Sequence, residues 1–234
     1  MAPLVSIIVP AYGEAATIGE VVERALALEG LDLEVVVVDD GSTDGTADAA
    51  RAAARGDERL RVLTHERNQG KGAAVRTGIA ASRGDIVVIQ DADLEYDPRE
   101  LPKVLQPLID GVADVVYGSR LRGGEPQRAH LFWHLVGNRF LSLLTNVLFN
   151  TTISDMEVGS KAFRGDLIRS FQLVSDDFAF EPEVTAKVLR TPGVRLYEIP
   201  IAYYGRSYEE GKKITWRDGF KAVWTLLRFR FMPL

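Results

Sequence analysis

Read for its alternation of apolar and polar positions, the first half of the chain divides into short runs of valine and isoleucine separated by longer segments of helical spacing. The runs LVSIIVP (4–10), LEVVVVDD (33–40), LRVLTH (60–65), DIVVIQ (85–90) and ADVVYG (113–118) are too continuously apolar for strands with one wet face, and predict strands covered on both sides. Between them, EAATIGEVVERALAL, DGTADAARAAAR, GKGAAVRTGIAAS and PRELPKVLQPLID place apolar residues three and four apart with small or charged residues opposite, the pattern of helices lying on a core. Alternation at this pace predicts right-handed βαβ crossovers and an α/β fold, with a mostly parallel central sheet flanked by helices. From about residue 119 the rhythm changes: a Gly-Gly turn at 123–124 leads into an apolar segment at 131–150, then SDMEVGSKAF, a helix near 179–190, a strand within VRLYEIPIAYY and a terminal helix. No Pro-, Gly- or Ser-rich linker interrupts the chain, so 1–234 is expected to form one domain with halves 1–118 and 119–234.

In a parallel sheet the ligand lies beyond the carboxyl ends of the strands. Three polar loops fall at that edge: PAYGE after the first strand, DDGSTDGT after the second and QDADLEYD after the fourth. Part of this is turn chemistry, since Asp44 suits a helix cap and Asp97, followed by Pro98, suits another. Asp91 and Asp93, flanking the small residue Ala92, are different. Two carboxylates so placed repel each other, and a hard divalent ion shared with substrate phosphates relieves that repulsion, with Glu95 as a third contact. The alternative is a solvated acidic loop. Neither of the glycine-rich phosphate loops, G-x-x-x-x-G-K-[ST] or G-x-G-x-x-G after the first strand, is present, so a bound pyrophosphate has to be neutralised by metal and side chains.

Charge and composition narrow the classes. With no cysteine in 234 residues, disulfides, thiolate metal sites and a cysteine nucleophile are excluded, and a reducing compartment fits best. The net charge of −5 argues against a nucleic-acid partner. It is unevenly spread: seven basic and three acidic residues from Ile201 to Leu234 make that stretch +4 and leave −9 for the rest. Neither a secretory leader nor a membrane span is expected, because Met1 to Pro10 has no basic region and no run of about 18 apolar residues occurs.

SIIVPAYGEAATIGEVV, VVVVDDGSTDGT, NQGKGAAVRTGI and IVVIQDADLEYDP, in that order, resemble the nucleotide-binding half of the family 2 inverting glycosyltransferases of the GT-A fold, and among them the dolichol-phosphate or polyprenyl-phosphate hexose synthases. The second half resembles them more loosely, through YGSRLRGG, SDMEVGSKAF and YYGRSYEEGKKITWRDGF, and MEVGSKAF is not the commonest form of its motif. The resemblance implies a nucleotide diphosphate sugar donor of the GDP-mannose or UDP-glucose type, with Mg2+ or Mn2+ as cofactor. It implies Pro10, Tyr12 and Glu14 against base and ribose, Asp40 on the base, Asp91, Ala92 and Asp93 at the donor, and Asp91, Asp93 and Glu95 around the ion. Lys71, at a helix start, reads either as a cation facing the diphosphate or as a solvated residue in a glycine turn. Arg120, Arg206 and Lys212 are the candidates for phosphate on the acceptor side.

What activates the acceptor depends on its chemistry. A hydroxyl needs a general base, and Asp155 stands where the family usually has an acid; a phosphate monoester is already anionic and needs only cations, with Asp155 orienting them. The segment LFWHLVGNRFLSLLTNVLFN and the helix DGFKAVWTLLRFRF, with Phe220, Val223, Trp224 and Leu227 on one side and Arg217, Lys221 and Arg228 on the other, read either as core or as an interfacial element on anionic lipid. The leading expectation is therefore a hexosyltransferase acting on a polyprenyl phosphate, cytoplasmic and peripheral on that face of the membrane. A hydroxyl acceptor is the alternative, and a sugar nucleotidyltransferase, which would open on a glycine-rich basic loop, fits less well.

Overall fold

Strands of continuous Val and Ile are stable only where both faces are covered, and the computed structural model arranges them so. It describes residues 2–129, 131–206 and 216–232, with the backbone alone at 216 and 217. The chain runs β1 (Leu4–Ala11), α1 (Ile18–Leu26), β2 (Asp32–Asp39), α2 (Thr46–Ala54), β3 (Leu60–Thr64), α3 (Lys71–Ala81), β4 (Ile86–Ile89), α4 (Leu101–Ile109) and β5 (Val115–Ser119). It continues with α5 (Phe132–Phe149), β6 (Lys161–Arg164), α6 (Gly165–Ser170), α7 (Phe180–Arg190), β7 (Leu196–Pro200) and α8 (Trp216–Phe231). The strands form one seven-stranded sheet in the order β3-β2-β1-β4-β6-β5-β7. Only β6 runs antiparallel to its neighbours, β4 and β5. It is absent from the expected strands, and it inserts a piece of the second half between strands of the first.

Valines 35 to 38, isoleucines 7 and 8, and residues 86 to 89 are all buried, forming a core continuous through the sheet. Asp97 caps the turn before α4, accepting from Arg99 N–H at 3.0 Å, with Pro98 following as expected. A second, smaller core forms where α5 and α8 pack, from Leu141, Ile153, Met156, Ala222 and Leu226. The inward side of α8 is Ala222, Thr225, Leu226 and Phe229, so Phe220 and Trp224 face solvent, Trp224 at 62% exposure. Outward on α5 are Phe132, Trp133 (78% exposed), Phe140, Leu143 and Val147. Among the described residues no helix is long and apolar enough to cross a membrane.

Candidate active site

The three polar loops meet at the carboxyl edge of the sheet. Gly13 N–H donates to Ser42 Oγ (3.0 Å) and Glu14 N–H to Thr46 Oγ1 (3.0 Å), lacing the loop after β1 to the loop after β2. Thr17 Oγ1 donates to the carbonyl of buried Ala92 (2.8 Å), joining both to the acidic loop after β4. Within that loop Leu94 takes a left-handed conformation (φ 60°), uncommon for a residue with a side chain, and the turn lets Glu95 N–H donate to Asp93 Oδ1 (3.1 Å).

The acids are first neutralised by the chain itself. Lys71 Nζ lies 2.7 Å from Asp91 Oδ1 and 3.2 Å from Glu181 Oε1, with its side chain only 16% exposed. Burial works against its charge, but the two carboxylates prevail and hold its pKa above the ordinary lysine range. Lys71, expected to face a diphosphate, thus bridges two carboxylates. Arg206 Nη2 reaches Asp93 Oδ2 (2.6 Å), and its two Nη atoms lie 3.3 and 3.4 Å from the Glu14 oxygens. Burial, and then the nearby Asp91 and Glu95 carboxylates, push Asp93 up to about 7 despite Arg206.

Glu95 departs from its expected role as a third metal ligand. One of its oxygens accepts from Arg206 N–H (2.6 Å) and the other from the Tyr203 hydroxyl (3.0 Å), so this carboxylate anchors the 203–206 segment. Among the described residues no three acidic or histidine side chains converge as a ready ion cage. The remaining donors still fit a hard divalent ion. Asp93 and Glu14 share Arg206, and Asp91 stands two residues before Asp93, carboxylate oxygens of the hard kind that such an ion takes. Asp91 Oδ2 packs against Gly159, where a Cβ would run into it.

Asp40, expected on the base, is turned inward. Its carboxylate lies 2.7 Å from His65 Nδ1 and accepts from Gln69 N–H (3.0 Å) and Gly70 N–H (2.7 Å), fixing the segment before α3. The side chain of its neighbour Asp39, at the end of β2, accepts from Ser42 N–H (3.1 Å). Pro10 is buried on β1, while Tyr12 is 46% exposed beside these loops.

On the other side of the acidic loop, Arg120 and Asp155 form a two-pronged pair. Arg120 Nε donates to Oδ2 and Nη2 to Oδ1, both at 2.7 Å, and Arg120 N–H adds a third bond at 3.0 Å. The Asp155 side chain has no exposed surface. Burial opposes the charge on Arg120, but Asp155 outweighs it and holds the guanidinium well above its ordinary pKa. The loop is held from behind by Glu198, which accepts from Ser154 N–H (2.8 Å) and Asp155 N–H (3.1 Å). A general base needs reach to a substrate proton. Both oxygens of Asp155, expected either as a base or as the acid that orients the cations, are taken up by Arg120. Lys212 lies outside the described residues.

Three charged residues of the second half were not among the expected ones. Lys161 on β6 is fully buried and donates to the Met156 carbonyl (3.0 Å), the Val158 carbonyl and Glu181 Oε2. Glu181 in turn reaches Lys71, and Glu157 lies near both Lys161 and Arg120. The only local signal for them was charge inside otherwise apolar stretches, KAF and AFEPEV, too common to single out.

Known proteins resemble this chain in sequence and in fold. The chain is 27% identical over 230 residues to a dodecaprenyl-phosphate galacturonate synthase of Rhizobium johnstonii, covering 97% of this chain and 66% of that one. It is 31% identical over 213 residues to an undecaprenyl-phosphate 4-deoxy-4-formamido-L-arabinose transferase of Pseudomonas aeruginosa, covering 89% and 60%. The chain thus spans less than two thirds of the length of either relative. Among solved structures, the glucosyl-3-phosphoglycerate synthase of Mycobacterium tuberculosis, crystallised with Mn2+, UDP and phosphoglyceric acid, superposes with a TM-score of 0.76 at 24% identity, over 99% of this chain and 80% of that one. That likeness shows the GT-A fold. The sequence profile of glycosyl transferase family 2 matches residues 6–170, well over half of the chain, which therefore belongs to that family.

Proposed function

We propose that this chain transfers a hexose, with inversion, from a nucleotide diphosphate sugar to a polyprenyl phosphate at a membrane surface, using Mg2+ or Mn2+. In this reading residues 1–118 hold the donor and 119–234 mainly the acceptor. Pro10, Tyr12 and Asp39 line the place for the base, with Asp39 taking the role first expected of Asp40. Asp91 and Asp93 would hold the ion, which when bound acts as a Lewis acid on the leaving diphosphate. Arg206, beside Asp93 and Glu14, lies where the donor phosphates arrive and offers them a guanidinium.

The observation that carries the reading is the Asp155 carboxylate closed by Arg120. With no base at that point, an acceptor has to arrive already anionic, as a phosphate monoester does, and Asp155 then orients the cation that receives it. Asp155 takes Nε and Nη2 of Arg120, which leaves Nη1 for the acceptor phosphate. A hydroxyl acceptor finds no such support. The lipid part of the reading rests on the two relatives, named for dodecaprenyl and undecaprenyl phosphate, and on the solvent-facing aromatics of α5 and α8. Trp and Phe on helices that also carry exposed arginines suit the headgroup region of an anionic bilayer.

Thermal melting with UDP- and GDP-sugars, with and without Mn2+, tests the donor half. A true donor at about 100 times its Kd adds about 2.7 kcal/mol and raises Tm by about 5–10 °C, in the presence of the ion only. Transfer from that donor to undecaprenyl phosphate in mixed micelles tests the acceptor half. A melting temperature that responds to no nucleotide sugar with Mn2+ removes the reading.

A further inference from the structure

The buried charges behind the acidic loop form one chain: Lys161, Glu181, Lys71 and Asp91. Glu181, in the first turn of α7, binds Lys161 through Oε2 and lies 3.2 Å from Lys71 Nζ through Oε1. Lys71 in turn lies 2.7 Å from Asp91 Oδ1. The chain thus connects β6 and α7 of the second half with α3 and the acidic loop of the first.

Energetically it is an awkward arrangement. Lys161 has no exposed surface and the Glu181 side chain only 4%. Taking two ions out of water costs several kcal/mol each, and apolar side chains of similar volume commonly replace such a pair without loss of stability. Lys161 is satisfied only because two carbonyls and the face of Tyr117, 4.8 Å from Nζ, share its charge with Glu181. Packing alone gives no reason for ions at 161 and 181. Their geometry does: with its Oε2 held by Lys161, Glu181 has only Oε1 to offer, and that oxygen is aimed at Lys71. Lys71 is thereby held between two carboxylates and keeps Oδ1 of Asp91. Asp91 Oδ2 packs against Gly159, where a Cβ would run into it, so the second half of the chain positions both oxygens of this carboxylate.

We infer that Glu181 is a positioning residue for the donor site: through Lys71 it fixes the orientation of the Asp91 carboxylate, so that the second half of the chain sets the first half's affinity for a divalent ion and nucleoside diphosphate. The inference rests on the proposed assignment of Asp91 to the ion. Lys161 holds Glu181, and neither touches the ion or the donor.

The test uses the full chain with Mn2+ and UDP as probes, free Mn2+ being followed by electron paramagnetic resonance, and with GDP in place of UDP if melting selects a guanine donor. The double variant Lys161→Met/Glu181→Met removes both buried charges and leaves neither stranded, so its melting temperature stays at or above that of the parent. Its affinity for Mn2+ with nucleotide is expected to fall by about 10–100-fold, the usual effect of losing a group that orients a metal ligand. Glu181→Gln, which strands Lys161, loses both affinity and stability. A crystal structure of the double variant reads the same point without any ligand, as Asp91 released from its present rotamer. A double variant that melts like the parent and binds Mn2+ and nucleotide within twofold of it overturns the inference. A parent that binds neither probe, while Asp91 still shifts in the variant, overturns instead the assignment of the ion on which the inference rests.

Discussion

Replacing Glu157 by glutamine should make the protein more stable at pH 8 and leave it almost unchanged at pH 5. Glu157 lies in the loop between α5 and β6, near Lys161, Glu181, Arg120 and Asp155, and its Oε1 is buried with no hydrogen-bond partner among the described residues. Burial above all, with help from Glu181 and Asp155 and against Lys161 and Arg120, pushes its carboxyl from 4.5 up to about 7. Folding therefore favours the protonated form. The contribution to stability is whole below pH 4.5 and is lost as the pH rises through about 7. Carried to pH 8 the gap corresponds to about 3 kcal/mol, and at pH 5 to about 1 kcal/mol. Glu157 keeps some exposure and a glutamine amide must find its own partners, so about half of this is recoverable. The gain for Glu157→Gln is then about 1.5 kcal/mol at pH 8, or about 3–6 °C in Tm for a chain of this size, shrinking to about 1 °C at pH 5. Scanning calorimetry of both proteins from pH 5 to pH 8 measures it. A gain that does not grow with pH, or a variant that melts lower than the parent at pH 8, refutes the reasoning.

Asp155→Asn strands the buried Arg120 guanidinium and should cost about 3–5 kcal/mol by thermal or urea unfolding, yet at temperatures below its melt it should keep much of its transfer to a phosphate acceptor. Near-complete loss of turnover in folded protein would return Asp155 to the role of base. Asp93→Asn relieves the repulsion from Asp91 and Glu95, so without divalent ion it should melt no lower than the parent at pH 8, while the Mn2+-dependent shift with nucleotide disappears; an unchanged shift would remove Asp93 from the ion. Trp133→Glu with Trp224→Glu changes only solvent-facing positions and should leave Tm within about 2 °C, but halve or more the fraction floated with vesicles containing anionic lipid. Equal flotation would place the contact elsewhere.

The first half was legible because its signals are local. Runs such as Val35 to Val38 specify a strand covered on both faces wherever they occur, and β2 extends from Asp32 to Asp39 around them. The helix expected at 179–190 is α7, Phe180–Arg190. The missed strand, β6, is four residues long and starts on a lysine. Nothing within it announces a strand, and its state is set by pairing with β4 on one side and β5 on the other, both distant in sequence. The site divides in the same way. Which residues are acidic or basic at the carboxyl edge can be read directly, but which acid meets which base cannot: Arg206 and Asp93 are 113 positions apart, and Arg120 and Asp155 35. Asp40, Lys71, Glu95 and Asp155 were all found by type and place, and each proved to face a partner that only the fold supplies.

Those partnerships change what the acidic loop requires. Read alone, the carboxylates at 91, 93 and 95 call for an external cation. In the fold, Lys71 takes one, Arg206 shares another, and Tyr203 with the backbone of Arg206 occupies the third. Each acid of the loop is therefore matched by a partner from the chain itself. On the proposed reading Arg206 is the guanidinium beside the donor, and Arg120, bound by Asp155 on a separate loop, the one beside the acceptor. A guanidinium held in that way is ready for an anionic acceptor and of little use to a neutral one.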